Sequence, residues 1–227
     1  MTQDTVRPAV PPAPAPHPEW SLVLPVKPLA LAKSRLAPYA GARRPALALA
    51  FALDTVTAAL ACPLVARVLV VTQDAVAGAW LARLGALVVA DEPGGGLNAA
   101  LTHGAELARR LAPDAPLAAL SADLPALRSA ELAQVLAAAA AAGGRSFLAD
   151  SPGLGTTLLA CQRGHALAPR FGDGSRAGHA AGGAVELSPG EVPSVRRDVD
   201  TGEDLREALA LGVGRHTAAV ACAPVCS

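Results

Sequence analysis

The chain has few aromatic residues: phenylalanine, tryptophan and tyrosine together make up 3% of its 227 positions. It is nevertheless 52% hydrophobic, with a mean hydropathy of +0.37, so its apolar residues are mostly alanine, leucine and valine. This apolar content is ample for the packed core of one domain. We therefore predict alanine-rich helices that pack closely on strands rich in valine and leucine.

The chain also lacks net charge, a basic run and a long apolar stretch. Its 19 lysines and arginines balance 19 aspartates and glutamates, which argues against a nucleic acid or an anionic membrane as a partner. The alanine-rich runs 46–61 and 132–142 are interrupted by polar residues or too short for a transmembrane helix. The proline-rich segment 2–19 has no apolar run, so we predict no signal peptide.

Four cysteines lack the paired spacing of a metal site. They are Cys62, Cys161, Cys222 and Cys226. The closest pair, Cys222 and Cys226, has no further ligands nearby that could complete a zinc site. We interpret all four as free thiols, which predicts a cytoplasmic protein.

Several common catalytic motifs are missing. No Gly-x-x-x-x-Gly-Lys-Ser/Thr sequence occurs, and no Gly-x-Gly-x-x-Gly follows the first predicted strand, which disfavours a P-loop ATPase and a dinucleotide-binding dehydrogenase. A Gly-x-Ser-x-Gly elbow and a Ser/His/Asp set are also missing, which disfavours a hydrolase of that type.

The order of apolar patterns predicts the fold. Short apolar strands alternate with helices, which is typical of an α/β protein with a mostly parallel, mixed central sheet flanked by helices. We predict a disordered proline-rich arm at 1–19, a single domain at 20–216 and a flexible tail at 217–227. The predicted strands are 22–26, 67–72, 86–90, 116–121, 146–149, 156–160 and 195–199, and the predicted helices are 43–61, 74–84, 99–111, 129–143 and 205–211.

Charged residues follow the predicted strands, where such sheets bind ligands. They are Lys27, Asp91, Asp123, Asp198 and Asp200. The last two stand two residues apart, so they share a face of the predicted strand 195–199 and repel each other unless a cation lies between them. A bound Mg²⁺ would offset that repulsion; the alternative is a solvated acidic turn that caps the following helix. In that helix, Thr201 and Asp204 are spaced as a capping box.

Two further segments offer groups for a phosphorylated ligand. Lys27, Lys33 and Arg35 could cradle nucleotide phosphates or belong to an ordinary solvated loop. Asp123 could serve as a further metal ligand or simply form a turn.

Glycines bring backbone groups to two other places. Gly94, Gly95 and Gly96 precede Asn98, which could read a base or a ribose or could act as an N-cap. The segments 155–157 and 170–175 combine glycines with hydroxyl side chains, which suits a phosphate or a carboxylate, although these glycines could equally serve turns. No histidine spacing predicts a metal site; His179, near the second segment, is the histidine that lies nearest to these groups in sequence.

Taken together, these motifs resemble one family, the guanylyltransferases of deazaflavin coenzyme biosynthesis, whose acceptors are 2-phospho-L-lactate or phosphoenolpyruvate. The resemblance runs in order from about residue 20 to about residue 214. It rests on Pro25-Val26-Lys27, Lys33-Ser34-Arg35-Leu36, Leu97-Asn98, Asp123-Leu124-Pro125, Gly155-Thr156-Thr157, Arg170-Phe171-Gly172 with Ser175, and Asp198-Val199-Asp200-Thr201.

The resemblance implies a Rossmann-like nucleotidyltransferase fold, GTP as donor, pyrophosphate as product and Mg²⁺ as cofactor. It also implies site residues in three groups. The metal would be held by Asp123, Asp198 and Asp200, the acceptor's phosphate or carboxylate by Thr157, Gly172 and Ser175, and the GTP phosphates by Lys27, Lys33 and Arg35. The loop after the first strand has no glycine-rich signature, so its phosphate contacts should come from side chains.

Several alternatives stay open at this point. The acceptor could be phosphoenolpyruvate, 2-phospho-L-lactate or 3-phosphoglycerate; the composition, typical of a high-GC genome, favours the first by association. Rival functions are a nucleotidyltransferase with a molybdopterin or sugar-phosphate acceptor and a non-catalytic nucleotide-binding subunit. The oligomeric state is also open, a homodimer included.

Overall fold

The computed structural model describes residues 19–90 and 95–222. Its strands are β1 (Trp20–Val26), β2 (Val65–Thr72), β3 (Leu87–Ala90), β4 (Leu117–Leu120), β5 (Arg145–Ala149), β6 (Thr156–Cys161) and β7 (Val185–Glu186). Its described helices are α1 (Ala37–Ala40), α2 (Arg44–Leu60), α3 (Ala75–Arg83), α4 (Gly96–Leu111), α5 (Ser129–Ala142), α6 (Ser175–Ala181), α7 (Pro193–Arg196), α8 (Gly202–Leu211) and α9 (Arg215–Ala221).

The strands form one mixed sheet in the order β3-β2-β1-β4-β6-β5-β7. Strand β1 pairs in parallel with β2 and β4, and β2 pairs in parallel with β3, whereas β6 runs antiparallel to both β4 and β5. The predicted mixed α/β sheet is therefore confirmed. The chain winds outwards from β1 to β3 and then returns to the other side of β1 as β4, so a topological switch point lies between β1 and β4.

Helices cover both faces of the sheet, because strands buried on two sides must meet apolar partners on each. One apolar cluster includes Leu22 and Leu24 of β1, and a second includes Val23 of the same strand. Gly104 lets α4 approach the sheet closely, since a Cβ atom there would lie 2.7 Å from Val71 Cγ2. None of the helices in the described ranges is long and apolar enough to cross a membrane.

The predicted strand 195–199 is wrong. Pro193 begins helix α7, and the first helical turn is where proline is favoured. The chain after Arg196 is extended but pairs with a loop instead of a strand, since the Val199 N–H donates to the Asp123 carbonyl at 3.1 Å. The alternation that the sequence analysis used still holds there: Val199 is buried, while its neighbours Asp198 and Asp200 are half-buried.

The next helix begins as its sequence predicts. In α8, Thr201 and Asp204 form a capping box: the Asp204 N–H donates to Thr201 Oγ1 at 3.3 Å, and the Thr201 N–H donates to Asp204 Oδ2 at 2.8 Å. This reciprocal pair satisfies two backbone donors at the start of the helix. It also fixes the chain directly after Asp200.

The predicted flexible tail is wrong for residues 217–221, which belong to α9. The Asp54 carboxylate on α2 accepts hydrogen bonds from the His216 N–H at 3.0 Å and the Thr217 N–H at 2.8 Å, and Thr217 is buried. These contacts satisfy backbone donors that the first turn of a helix cannot pair internally. The domain therefore extends beyond its predicted end at 216, whereas residues 1–18 of the predicted arm and 223–227 of the predicted tail lie outside the described residues.

The cysteines that the structure describes agree with the prediction of free thiols. Cys62 and Cys161 are buried, Cys222 is exposed, and all three are unbridged. Burial raises the pKa of the Cys62 and Cys161 thiols above the ordinary value, so these two are held in the unreactive protonated form. Cys226 lies outside the described residues.

Candidate active site

A cleft of about 710 Å³ opens at one edge of the sheet, where β1 and β4 end and the antiparallel β6 begins. Eight of the ten predicted site residues line it: Lys27, Lys33, Arg35, Asp123, Gly172, Ser175, Asp198 and Asp200. The other two, Asn98 and Thr157, do not. The cleft thus lies at the switch point between β1 and β4, where ligands bind to open α/β sheets.

Three carboxylates converge in this cleft because two chain segments pair through their backbones. Asp123 follows β4, and its carbonyl accepts the hydrogen bond from the Val199 N–H. Since side chains alternate along an extended chain, burying Val199 turns the residues on either side of it, Asp198 and Asp200, towards the cleft. The predicted grouping of these carboxylates at one edge is therefore found.

Lys33 holds two of these carboxylates together. Its ammonium pairs with Asp123 Oδ2 and, at 2.8 Å, with Asp200 Oδ1, and its side chain is only 10% exposed. Burial would lower the pKa of Lys33, but the attraction of Asp123 and Asp200 outweighs it and raises that pKa above its ordinary value. Lys33 also has left-handed backbone angles, φ 58° and ψ 41°, which are uncommon for a residue other than glycine.

The other two predicted cations lie further out. Arg35 donates to Asp200 Oδ2 at 3.0 Å from a side chain that is 71% exposed. Lys27 is exposed at the end of β1. Burial would raise the pKa of Asp200, but Lys33, Arg35 and Lys27 together lower it below its ordinary value. The three basic residues thus differ in exposure: Lys33 is buried among the carboxylates, whereas Arg35 and Lys27 are exposed to solvent.

Negative charge at the inner end of the cleft is not fully compensated. Burial, followed by repulsion from Asp123 and Asp200, raises the pKa of Asp198 to about 7. Asp123 Oδ1 is buried and has no hydrogen-bond partner. Burying a carboxylate oxygen without a partner destabilises the folded protein. A further cation bound near Asp123 and Asp198 would therefore stabilise it.

The donor set is suited to a divalent cation such as Mg²⁺, which prefers carboxylate oxygens together with water and phosphate. Within residues 19–90 and 95–222, however, no three acidic, histidine or cysteine side chains are already gathered as a metal site. The reason is visible in the ion pairs, since the Lys33 ammonium lies between Asp123 and Asp200. A metal held by these aspartates would have to displace Lys33.

Glycine-rich turns at residues 172–175 also line the cleft, and we call them the glycine-rich wall. Gly172 has φ 131° and Gly174 has φ 68°, angles that residues with a Cβ rarely adopt. Ser175 is buried at the start of α6, and its N–H donates to the Gly172 carbonyl at 3.1 Å. This wall therefore exposes backbone groups and one hydroxyl to the cleft.

Asp150 is a residue of the cleft that the sequence analysis missed. Its Oδ1 accepts from the Leu154 N–H at 2.9 Å and its Oδ2 from the Gly155 N–H at 2.8 Å. A Cβ atom at Gly155 would collide with this carboxylate, so the glycine permits the turn. Asp150 directly follows β5, and the strand-end criterion that identified Asp123 could have found it.

Two predicted substrate contacts are not in the cleft. Thr157 is completely buried, its Oγ1 has no hydrogen-bond partner, and its neighbour Thr156 lines the cleft instead. Adjacent residues of a strand point to opposite faces, so Thr156 and not Thr157 faces the cleft in this structure. Asn98 bonds to the backbone of Phe171, and Leu97 lines the cleft next to it. Of the glycines before Asn98, Gly94 lies outside the described residues, as does Asp91.

His179 bonds to residues on both sides of its ring next to the glycine-rich wall. Its Nε2 accepts from the Arg170 N–H at 2.9 Å, so the proton is on Nδ1, which lies 2.9 Å from Thr156 Oγ1. Burial, followed by the cations Arg170 and Arg145, lowers the pKa of His179 to about 4. A neutral imidazole in this position is a structural support and not a proton-transfer group near neutral pH.

This buried histidine should make stability depend on pH. Because its pKa is about 4 when folded and about 6.5 when unfolded, the unfolded chain takes up the proton first as the pH falls. The contribution of His179 to the free energy of unfolding is therefore fully present above about pH 6.5 and is lost as the pH falls towards 4. From pH 7.5 to pH 5 this loss amounts to ~2 kcal/mol. Denaturant unfolding of the parent and of His179→Gln at both pH values measures this.

The variant should show a pH-dependent loss that is smaller by about that amount. His103→Gln on α4 serves as the control and should keep the parent's pH dependence. Equal pH dependence in the parent and in His179→Gln would show that His179 is not buried as a neutral group.

Comparison with known proteins places the chain among nucleotidyl-transferring enzymes. A family model described as "Guanylyl transferase CofC like" matches residues 20–220. A phosphoenolpyruvate guanylyltransferase of Streptomyces coelicolor is 66% identical over 204 residues, which cover 89% of this chain and 96% of that protein. One of Thermomonospora curvata is 61% identical over 202 residues and covers 89% and 88%.

Solved structures with low sequence identity share the fold. A 4-diphosphocytidyl-2C-methyl-D-erythritol synthase is 17% identical with a TM-score of 0.59, covering 86% of this chain and 99% of that one. A Mycobacterium tuberculosis protein, Rv0371c, crystallised with manganese, is 23% identical with a TM-score of 0.56, covering 86% and 100%. The predicted nucleotidyltransferase fold is thus confirmed.

Proposed function

The chain belongs to the family of CofC-like guanylyl transferases, and from that premise we propose that it joins GMP from GTP to phosphoenolpyruvate and releases pyrophosphate. The observation that carries this proposal is that one cleft is lined both by Lys33 with its carboxylates and by the glycine-rich wall. Phosphoenolpyruvate is chosen over 2-phospho-L-lactate because relatives at 61–66% identity carry that acceptor in their name.

The chemistry requires no general base from the protein. The acceptor phosphate has a second pKa of about 6, so it is largely dianionic at neutral pH. One of its oxygens attacks the α-phosphorus of GTP, a new phosphorus–oxygen bond forms, and the bond to the β-phosphate oxygen breaks. Pyrophosphate takes the electron pair of that bond with it. The neutral, buried His179 is consistent with a reaction of this kind.

The protein must therefore overcome repulsion between two polyanions and hold them in line. Lys27 and Arg35, exposed at the mouth of the cleft, would bind the outer phosphates of GTP. The Lys33 ammonium would leave its two carboxylates and bind the departing pyrophosphate. Gly172 and Ser175 would bind the phosphate or the carboxylate of the acceptor. Direct contact from Thr157 stays a prediction of the sequence, and Thr156 is the threonine that faces the cleft.

We propose Mg²⁺ as the cofactor, held by Asp123, Asp198 and Asp200. Two observations support it: Asp123 Oδ1 is buried without a partner, and Asp198 is repelled by its neighbours. When bound, the cation would neutralise triphosphate charge and stabilise the leaving pyrophosphate. The three carboxylates would orient it, and their own repulsion would fall as it binds.

We further propose that the reaction takes place in the cytoplasm as a step of deazaflavin coenzyme biosynthesis. The reason for the location is chemical, since both proposed substrates carry several negative charges and cannot cross a lipid bilayer unaided. The product would carry a phosphoric anhydride between GMP and the acceptor, so the next reaction must be one that uses GMP as its leaving group. A homodimer stays a prediction of the sequence.

A panel of donors and acceptors tests the proposal. Pyrophosphate release is measured with GTP, ATP or CTP and Mg²⁺, each with phosphoenolpyruvate, 2-phospho-L-lactate, 3-phosphoglycerate, a sugar phosphate or a molybdopterin. GTP binding is measured separately by calorimetry. We expect release with GTP and phosphoenolpyruvate at a kcat/KM at least tenfold above any other pair. Turnover only with a sugar phosphate or a molybdopterin would support the rival enzymes, and tight GTP binding without any turnover would support a non-catalytic subunit.

A further inference from the structure

The glycine-rich wall of the cleft depends on side chains for its position. Residues 165–171 belong to no helix or strand, yet Phe171 and Gly172 line the cleft. Backbone groups of a loop that make no ladder hydrogen bonds must find partners elsewhere, and side chains are one source of them. Two side chains, those of Asn98 and His179, bond to the backbone directly before Gly172.

Asn98 satisfies both backbone groups of Phe171. The Phe171 N–H donates to Asn98 Oδ1 at 2.8 Å, and Asn98 Nδ2 donates to the Phe171 carbonyl at 3.0 Å. These residues are 73 positions apart in sequence. The arrangement needs one acceptor and one donor on a short planar group, so aspartate could make only half of it and alanine none.

The position of Asn98 gives this contact a consequence for the cleft. It lies in the first turn of α4, and both its neighbour Leu97 and its partner Phe171 line the cleft. Helix α4 is itself held close to β1 and β2 at Gly104. The contact between Asn98 and Phe171 thus ties the glycine-rich wall to a helix that is seated on the sheet.

A second support acts on the adjacent residue. His179 accepts from the Arg170 N–H at 2.9 Å, and the rings of His179 and Phe171 make an edge contact with centroids 5.0 Å apart. Two consecutive amides are thus held from two elements, α4 and α6. Directly after them comes Gly172, whose φ of 131° is a conformation that glycine adopts readily and other residues rarely adopt.

We propose that Asn98 is a positioning residue for the acceptor: it fixes the Phe171 backbone so that Gly172 and Ser175 present their polar groups to the phosphorylated acid. This inference rests on the proposed function. It replaces the sequence prediction that Asn98 reads the base or the ribose, because both functional groups of its amide are already engaged by Phe171. The affinity for the acceptor, and not that for the nucleotide, should then depend on Asn98.

Steady-state kinetics of Asn98→Ala in the full-length protein test this. We expect the KM for phosphoenolpyruvate to rise at least tenfold and the KM for GTP to stay within twofold, since an error of about 1 Å in position costs up to about a hundredfold. Asn98→Asp keeps the acceptor of the contact and loses its donor, so its KM for phosphoenolpyruvate should also rise at least threefold. A rise in the KM for GTP alone, or no change in either KM, would overturn the proposal.

Thr102→Ala provides the matched control. Thr102 Oγ1 donates to the Asn98 carbonyl at 2.9 Å from one turn further along α4, so this variant perturbs the same helix and leaves the Asn98 amide in place. Both of its KM values should stay within twofold of the parent. A tenfold rise in its KM for phosphoenolpyruvate would mean that any disturbance of α4 acts on the acceptor, which would contradict a specific role of Asn98.

Amide hydrogen exchange tests the contact without any substrate, so it remains decisive if phosphoenolpyruvate proves to be the wrong acceptor. We expect the Phe171 amide to exchange at least tenfold faster in Asn98→Ala than in the parent. The amide of Arg170, held by His179, should change less. Unchanged exchange at Phe171 would overturn the inference even if the panel of donors and acceptors confirms the proposed function.

Discussion

Asp198→Asn is expected to lower kcat by about a thousandfold while raising the melting temperature. The loss of rate corresponds to about 4 kcal/mol of transition-state stabilisation, a reasonable amount for the loss of a metal-ligand charge. The gain in stability follows from electrostatics, since burial and repulsion from Asp123 and Asp200 disfavour a charged Asp198 in the folded protein. A neutral amide of the same shape removes that repulsion.

Asp200→Asn separates the loss of activity from the gain in stability. This variant should lose similar activity but should not gain stability, because Lys33 and Arg35 would each lose a carboxylate partner, at 2.8 Å and 3.0 Å. Asp114→Asn, which removes an exposed carboxylate paired with Arg163, should change neither property. Thermal unfolding and Mg²⁺-dependent pyrophosphate release measure both. Near-parental turnover of Asp198→Asn would show that Asp198 is not a metal ligand.

Lys33→Met is expected to lower kcat at least a hundredfold and to destabilise the metal-free protein by about 3 kcal/mol. Removing one partner of a buried ion pair leaves the other charge uncompensated, which typically costs 3–5 kcal/mol. Lys33 is 10% exposed and pairs with two carboxylates. Arg35→Met is the matched control: its side chain is 71% exposed, and loss of such a pair costs about 1 kcal/mol or less.

The same variant reveals whether Lys33 and the metal compete. In Lys33→Met, the ammonium no longer lies between Asp123 and Asp200, so millimolar Mg²⁺ should raise the melting temperature more than it does in the parent. Thermal unfolding with EDTA and then with Mg²⁺ measures this difference in both proteins. An equal effect of Mg²⁺ on Lys33→Met and on the parent would contradict the shared position of ammonium and metal.

Most of the fold could be predicted from sequence because its strands are short runs of valine and leucine, and its long helices have helical apolar spacing. The carboxyl ends of parallel strands come to one edge by geometry alone, which is why Lys27 and Asp123 could be grouped without a structure. Asp198 and Asp200 reach the same edge for another reason, since Val199 between them bonds to the Asp123 carbonyl. The segment 195–199 was predicted wrongly because extended chain shows the same alternation whether it pairs with a strand or, as here, with a loop.

The remaining errors concern contacts between distant parts of the chain. Helix α9 begins on the carboxylate of Asp54, more than 160 positions away, and no local pattern near residue 217 records that partner. The contact between Asn98 and Phe171 and the pairing of Lys33 with carboxylates are equally non-local. A contact from Thr157 stays a prediction, whereas Thr156 lines the cleft, because a step of one position in a strand moves the side chain to the opposite face.

The central claim is that the acceptor phosphate of phosphoenolpyruvate attacks the α-phosphorus of GTP in this cleft. The most direct measurement is phosphorus NMR and mass spectrometry of the reaction of the purified protein with GTP, Mg²⁺ and phosphoenolpyruvate. We expect pyrophosphate in equal amount to a product in which two coupled phosphorus atoms join GMP to an intact enolpyruvyl group. Formation of free GMP, or recovery of GTP and phosphoenolpyruvate unchanged by folded protein, would contradict the claim.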